Sequence, residues 1–391
     1  MQVPPAHHPR LIAGVFAGQA GPQACSAIRR PNNRGIFCAY SRSTQVTIVR
    51  VLSRGSLLAI GSSILLTSCA SAPGPSAAGG KGKQELLLVS YAVTKGAYDR
   101  ILPKFVADWK AKTGQEIQIR TSYGGSGMQA RAVIDGLDAD LATLALSADI
   151  LKLQDAGLIQ PGWEQELPSD SIITHSTVAF LTRPGNPKGV HTWRDLVKPG
   201  VTVVTANPKT SGGARWNFLG LWGSVSQTGG DQQQAEAFVT NVYKNVDNLP
   251  KDAREASDVF LKRDQGDVLL NYENEAILAT RTGDLKAPFV VPEVNIRIEG
   301  PVAVVDTVVD RKGTRKAAEA LAAFLFTEEA QQIFAEEGFR PTNPSVWQRV
   351  KDRFAPVKQF FSVKDFGGWQ TVNKTFFDNG GLWDRLFAQS R

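Results

Sequence analysis

Apolar and polar positions along most of this chain switch between two periods, and each switch marks an element. Leu86-Leu87-Leu88-Val89-Ser90 is a short unbroken apolar run, the pattern of a strand buried on both faces. From Ala97 to Thr113 the apolar residues Ile101, Phe105 and Trp109 fall at helical spacing, and Gly114 ends the helix. Ile117 to Thr121 alternates like a strand, Gly124-Gly125-Ser126-Gly127 is a turn, and Met128 to Leu137 reads as a helix. Leu141 to Leu146 is strand-like, and a helix over Asp149 to Ala156 stops at Gly157. Further strands are predicted at Thr177–Thr182, Val201–Thr205, Val268–Tyr272 and Val302–Val309. Helices are predicted at Trp216–Val225, Gln232–Lys244 and Ser257–Lys262, with a long one over Lys312–Glu337 broken near Thr327. Strands and helices alternate throughout, which argues an α/β protein with parallel-type sheets. At 391 residues the chain is long enough for two or three lobes.

Ahead of Glu85 the pattern is different. Arg50 and Arg54 precede the apolar run Gly55 to Leu66, which ends in Leu66-Thr67-Ser68-Cys69. A charged start, a short apolar core and a small-residue end make an export signal. The run is too short for a transmembrane helix of about 20 residues. Leu-Thr-Ser-Cys resembles the bacterial lipobox, in which the cysteine, here Cys69, becomes the lipidated first residue of the mature chain. The other reading is a plain signal peptide that contains a cysteine. Residues 1–68 are thus a leader, whose first 45 residues are either a genuine extension or a misplaced gene start. Residues 69–84 form a linker rich in Ala, Gly, Ser and Pro, expected to be flexible.

Charge follows the same division. The formal net charge of +7 points at first to nucleic acid. The leader, however, holds seven arginines and no acid, and the other 37 basic residues are matched by 37 acidic ones. The body is neutral and lacks a nucleic-acid footprint. Cys25, Cys38 and Cys69 all lie ahead of the body, which therefore has no disulfide, thiolate metal site or cysteine nucleophile. An exported hydrolase would need a nucleophile and a base, and the body offers only His175 and His191 in ordinary contexts. His191, just before Trp193-Arg194-Asp195-Leu196, reads as a helix-cap or surface residue. No Tyr-Tyr pair or histidine cluster suggests a metal receptor. The expectation is a binding protein with no enzymatic activity, no cofactor and no metal.

The candidate chemistry lies in three turns. Ser90 to Lys95, Gly124 to Gly127 and Ser211 to Gly213 each precede a helix at the end of a strand-like run. Such corners gather ligands in α/β sheets. Each supplies unpaired N–H groups, a helix dipole and a small hydroxyl, from Thr94, Ser126 or Ser211. A small anion fits that set. Neither glycine turn has the ending of a phosphate-binding loop, the spacing of a dinucleotide fingerprint or the G-x-S-x-G nucleophile pattern. Phe376, Phe377, Trp383 and Phe387, near the C-terminus, read as packing residues.

At these residues the sequence closely resembles the bacterial periplasmic sulfate-binding proteins, the substrate-binding subunits of sulfate/thiosulfate ABC transporters. The markers run from Leu-Val-Ser-Tyr at 88–91 and Gly-Gly-Ser-Gly at 124–127 through Leu-Ala-Leu at 144–146 and Arg-Pro-Gly-Asn-Pro-Lys at 183–188. Asn-Pro-Lys-Thr-Ser-Gly-Gly-Ala-Arg-Trp-Asn at 207–217, Tyr-Glu-Asn-Glu-Ala at 272–276, Phe366-Gly-Gly-Trp369 and Phe377-Asp-Asn-Gly-Gly381 follow. The resemblance spans about 85–391. It implies a type II periplasmic binding protein fold: two α/β lobes joined by a hinge, with the ligand cleft between them. Lobe 1 is expected at about 85–168 plus about 276–340, and lobe 2 at about 169–275, with 341–391 as a C-terminal segment.

The resemblance also implies contacts. Ser126 matches a contacting serine, and Ser211 a serine giving both hydroxyl and amide. Gly212, Gly213 and Ala253 match amide donors, and Arg254 a nearby positive charge. Where the family often has Ser-Tyr-Asp-Pro-Thr, this chain has Ser90-Tyr91-Ala92-Val93-Thr94, so Ala92 keeps only a backbone amide. The family's indole donor is Tyr272 here. The implied ligand is sulfate, with thiosulfate, molybdate or phosphate as alternatives, and the implied partners are the ABC transporter permease subunits of a monomeric receptor. Sulfate is a pure acceptor, and the expected shell of N–H and O–H donors contains no carboxylate. Glu273 and Glu275 are expected behind it or at the hinge.

Overall fold

The computed structural model describes residues 84–389, all within the second of two compact units, Ala77–Arg391. The leader, the linker and Cys69 lie outside the described residues. In chain order the body opens with β1 (Gln84–Tyr91), α1 (Lys95–Thr113), β2 (Ile117–Gly124), α2 (Ser126–Ile134), β3 (Leu141–Thr143) and α3 (Ser147–Asp155). There follow β4 (Ile172–Ser176), β5 (Val178–Thr182), β6 (Val203–Val204), α4 (Gly212–Ser226), α5 (Gln232–Lys244), α6 (Ala253–Leu261), β7 (Val268–Tyr272) and α7 (Glu273–Thr282). The chain continues through β8 (Val294–Ile296), β9 (Ile298–Pro301), β10 (Ala303–Val304), α8 (Asp306–Lys312), α9 (Arg315–Phe324) and α10 (Glu328–Glu336). It ends with β11 (Arg340–Pro341), α11 (Pro344–Val350), β12 (Gln359–Phe361), α12 (Gly368–Val372) and α13 (Leu382–Gln389).

Two main sheets organise two lobes. The first has the order β10-β3-β1-β2 and the second β5-β7-β6. In the first, β1 runs parallel to both β2 and β3, and its residues Leu86, Leu88, Val89, Ser90 and Tyr91 are buried, as the apolar run requires. Helix α1 buries the stripe Tyr98, Ile101, Phe105 and Trp109, and stops at Gly114, whose φ of 70° admits the left-handed cap. The sheets are not wholly parallel: β10 is antiparallel to β3, and β5 to β7. Each of these strands follows another strand directly, without a crossover helix, and so enters its sheet from the opposite direction.

The chain passes between the lobes where β4 turns into β5 at Thr177 and where β8 turns into β9 at Arg297. Thr177 Oγ1 donates to the Ile296 carbonyl at 3.0 Å, which ties the two crossings together. A third passage runs from β11, paired with β4, to β12, paired with β8. The crossings therefore lie at 177 and 297 rather than near 168 and 275. Helix α7, expected in lobe 1, packs on β5 and β7.

Local detail departs from the pattern in two places. The expected strand Val302–Val309 is split, because Asp306 opens α8 and its carboxylate takes the N–H of Gln160. The expected long helix is α9 and α10, parted where Thr327 caps the second by accepting from Ala330 N–H. Helix α4 is buried from Gly212 to Gly223, because the C-terminal segment covers its outer side. Phe218 meets the rings of Phe376, Phe377 and Trp383, and Trp383 packs edge-on to Tyr243 of α5 at 4.7 Å. No described helix is long and apolar enough to cross a membrane.

Candidate functional site

Ala92 follows the end of β1, Ser126 opens α2, Ser211 caps α4 with Gly212 and Gly213 as its first residues, Ala253 opens α6, and Tyr272 ends β7. All seven residues line one narrow cavity between the lobes. Thr94 and Arg254 stand outside it. Thr94 Oγ1 donates to the Tyr91 carbonyl at 2.7 Å, bracing the turn that carries Ala92. Arg254 is paired with Glu275 at 2.8 Å.

Hydrogen supply decides what the cavity can hold. The N–H groups of Gly212, Gly213, Ser126 and Ala253 lie in first turns, where no intrahelical carbonyl reaches them. None meets another backbone acceptor among the described residues. The Ser211 hydroxyl accepts from Ala214 N–H, so its own hydrogen is free to donate. Its amide, expected to be a donor to the ligand, is not free: it goes to the Asn207 carbonyl at 2.8 Å, because 207–211 closes a tight turn. The Tyr272 hydroxyl is buried without a hydrogen-bond partner. Burial, with Tyr91, Asp149 and Glu275 nearby, pushes this phenol well above its ordinary range, so it remains an O–H donor.

Ser126 is used differently from the expectation. Its hydroxyl donates to Asp149 Oδ2 at 2.6 Å and accepts from Ala145 N–H at 3.0 Å. Only its amide is left for a ligand. Burial works against charge on Asp149, but Lys152, Arg215 and these hydrogen bonds overcome it and hold the carboxyl below its usual range. Sequence reasoning missed Asp149, which carried no signal beyond being an acid early in a helix.

The cavity wall is not free of carboxylates as expected: Asp252 is among the lining residues. It is the N-cap of α6, and Oδ1 accepts from Glu255 N–H at 2.9 Å. The Asp252-x-x-Glu255 spacing before a helix carried that capping signal. Glu273 and Glu275 lie behind the wall. Glu273 is fully buried and makes a two-pronged pair with Arg340 at 2.7 and 2.8 Å. Burial raises both carboxyls, against the pull of Arg340 on Glu273 and of Arg254 and Ser257 on Glu275. Arg254 Nη2 is within ion-pair distance of Glu275 Oε1 but lacks hydrogen-bond alignment, so the contact is one of charge. No lysine or arginine lines the cavity.

Glycine is required here by space. A Cβ on Gly213 would meet the Tyr272 ring at 2.8 Å, and one on Gly212 would meet Ala145 Cβ at 2.7 Å. Larger openings lie elsewhere. One of about 2110 Å³ beside exposed His191 is an open apolar groove, and one of about 820 Å³ is lined by His175, Arg297 and Arg340 near the hinge. Neither contains the Ser126 and Ser211 corners. Among the described residues no cluster of His, Cys, Asp or Glu could hold a metal ion.

Comparison with known proteins gives the family. The family model described as bacterial extracellular solute-binding protein matches residues 86–340. A sulfate-binding protein of Synechococcus elongatus is 58% identical over 313 residues, 80% of this chain and 89% of that protein. A thiosulfate-binding protein of Pseudomonas aeruginosa is 44% identical over 308 residues, 78% of this chain and 92% of that protein. Among solved structures, the sulfate-binding protein SubI of Mycobacterium tuberculosis superimposes with a TM-score of 0.70 at 36% identity, covering 75% of this chain and 100% of SubI.

Proposed function

Since the chain belongs to the bacterial sulfate-binding proteins, within the extracellular solute-binding family, we propose that it captures sulfate outside the cytoplasm and delivers it to the permease of an ABC transporter. The ligand sits in the cavity between the lobes. Gly212, Gly213, Ser126, Ala253 and Ala92 offer backbone N–H groups, and Ser211 and Tyr272 offer hydroxyls. The observation that carries the reading is the buried, unpartnered Tyr272 hydroxyl beside the free N–H groups of three helix starts. A buried polar group without a partner is costly, and an acceptor in the cavity removes that cost.

The charge balance supports sulfate in particular. With no lining cation, the two negative charges are met by the positive ends of α4, α2 and α6. Sulfate has no hydrogen to donate, so every contact can be an N–H or O–H donor. Hydrogen phosphate would need an acceptor, and the one lining carboxylate, Asp252, has Oδ1 engaged by Glu255 N–H and Oδ2 without a partner among the described residues, so phosphate is the competitor that the ligand test must separate from sulfate. The role is capture and release, with no bond made or broken. Thiosulfate is the second reading, left open by Ala92 and Tyr272, the two positions where the wall departs from the family pattern. We also propose a monomer that is anchored through Cys69, on the strength of Leu66-Thr67-Ser68-Cys69 alone. The mass of the mature N-terminal peptide tests the anchor.

Calorimetry with sulfate, followed by competition with thiosulfate, molybdate and phosphate, tests the ligand. Tyr272→Phe removes one hydrogen bond to a charged acceptor, worth about 1.5–3 kcal/mol, and weakens sulfate binding by about ten-fold or more. No heat with any of the four anions would sink the proposal. Unchanged affinity in Tyr272→Phe would take the phenol out of the site.

A further inference from the structure

Beside the cavity the two lobes touch directly, and three contacts share one neighbourhood. Trp216 of α4 donates its indole N–H to the carbonyl of Ala145, just beyond β3, at 2.8 Å, and both groups are buried. Ala145 also gives its N–H to Ser126 Oγ, and its Cβ packs where Gly212 has none. A short distance away, Gly125 lies against the Thr210 carbonyl so closely that a Cβ would stand 2.5 Å from the oxygen. The Trp216–Ala145, Ala145–Gly212 and Gly125–Thr210 contacts each join the two lobes, while the Ala145–Ser126 bond lies within the first.

Trp216 is itself held from behind. Trp369 of α12 packs edge-on against it, with ring centroids 4.8 Å apart. Helix α12 also touches α3 of the first lobe. The Phe366-Gly-Gly-Trp369 motif is otherwise unused by the binding site.

We propose that Trp216 is the positioning residue of anion capture: a latch whose indole, buttressed by Trp369, fastens α4 to Ala145 and so brings the Ser211 and Ser126 corners together. This rests on the cavity being the sulfate site. The bond joins protein to protein, so it forms only as the lobes meet. It acts on retention of the anion and leaves the encounter unaffected. Ala145 passes the contact on, because the residue that receives the indole also fixes the Ser126 hydroxyl against the first lobe.

Two variants of the whole protein test it. Trp216→Phe keeps an aromatic ring and removes the donor. Gly125→Ala leaves Trp216 and its surroundings alone and sets a methyl against the Thr210 carbonyl; the Gly125 backbone, at φ −62° and ψ 134°, accepts alanine without strain. Release of radiolabelled sulfate should be about ten-fold faster in Trp216→Phe, the loss expected for one buried hydrogen bond, while its association stays within about two-fold; release should also be faster in Gly125→Ala, whose methyl keeps the lobes apart. Small-angle scattering should show less compaction with sulfate than in the wild type. Unchanged release in both variants overturns the latch, as does a Trp216→Phe protein that melts lower but releases sulfate at the wild-type rate. If the wild type binds no sulfate, the functional reading has failed and scattering alone judges the latch. A wild-type radius of gyration below that of both variants then supports it, and equal radii overturn it.

Discussion

The α4 corner and the α2 corner are built from nearly the same residues, Ser211-Gly212-Gly213 and Gly125-Ser126-Gly127, and both precede a helix. Their hydrogens go to different places. At α4 the serine hydroxyl accepts from Ala214 N–H and keeps its own hydrogen for the cavity. At α2 the serine hydroxyl spends its hydrogen on Asp149 and its lone pair on Ala145 N–H. In the proposed site one corner donates its hydroxyl to the ligand, and the other is a strut that donates only through its backbone. A serine in a glycine turn is therefore not yet a contact, since the buried groups around it decide whether its hydrogen is available.

Space at the α4 corner gives the largest expected effect. Gly213→Ala places a methyl 2.8 Å from the Tyr272 ring and 3.1 Å from its hydroxyl. Either the ring shifts or the methyl occupies room needed by the anion. Sulfate affinity should fall by more than about 100-fold, roughly 3 kcal/mol, in the range of overpacking costs. Because α4 packs on β7 within one lobe, the clash is present without sulfate too, and the sulfate-free protein should lose about 1–3 kcal/mol of stability. Calorimetry showing near-wild-type affinity would mean that the anion does not sit against Gly213.

The two serines test the contrast directly. Ser211→Ala should weaken sulfate binding by about ten-fold or more, the value of a hydrogen bond to a charged acceptor. Ser126→Ala should weaken it less. Its main cost should be to folding, because Asp149 loses a donor and Ala145 N–H loses an acceptor inside the protein, at about 1–3 kcal/mol. Urea unfolding of the sulfate-free protein reads that loss. If Ser126→Ala proves worse for affinity and harmless to stability, the division between donor and strut is wrong.

Much of this was legible in the sequence, for physical reasons. The strand β1 and helix α1 showed themselves by period, and the three corners by glycine and serine at strand-to-helix steps. What stayed hidden was set by partners distant in sequence. Nothing near Ser126 marks Asp149, 23 residues on, as the acceptor of its hydrogen. Nothing near Glu273 marks Arg340 as its partner, so the acid was expected behind the shell or at the hinge without its counter-ion. Strands β5 and β10 were predicted, but their antiparallel direction was not, because periodicity carries no direction. Asp252 was the exception: its capping spacing was visible, but its place on the cavity wall depended on how α6 docks.

The smallest expected effect on binding comes from pH, and it separates the cavity from the hinge. Sulfate stays fully ionised and Tyr272 stays protonated across the physiological range, so affinity should be flat between about pH 5 and 8. Stability should not be. His175 on β4 is pushed down from 6.5 to about 4, by burial first and then by Arg297 and Arg340. The unfolded chain takes up this proton more readily than the folded one. His175 therefore costs nothing above about pH 6.5, and stability falls as pH drops from about 6.5 towards 4. Between pH 7 and 5 the loss is on the order of 2 kcal/mol. Glu299, its register partner across the strand pair, and Glu273 beside Arg340 have raised carboxyls and act in the opposite sense. Comparison with His175→Gln isolates the histidine: the variant should lose less stability than the wild type on acidification, while sulfate affinity is the same in both. Parallel melting curves at pH 7 and pH 5 would show that His175 is not held neutral at the hinge, and an affinity that moves with pH in the wild type alone would show that hinge and cavity are coupled.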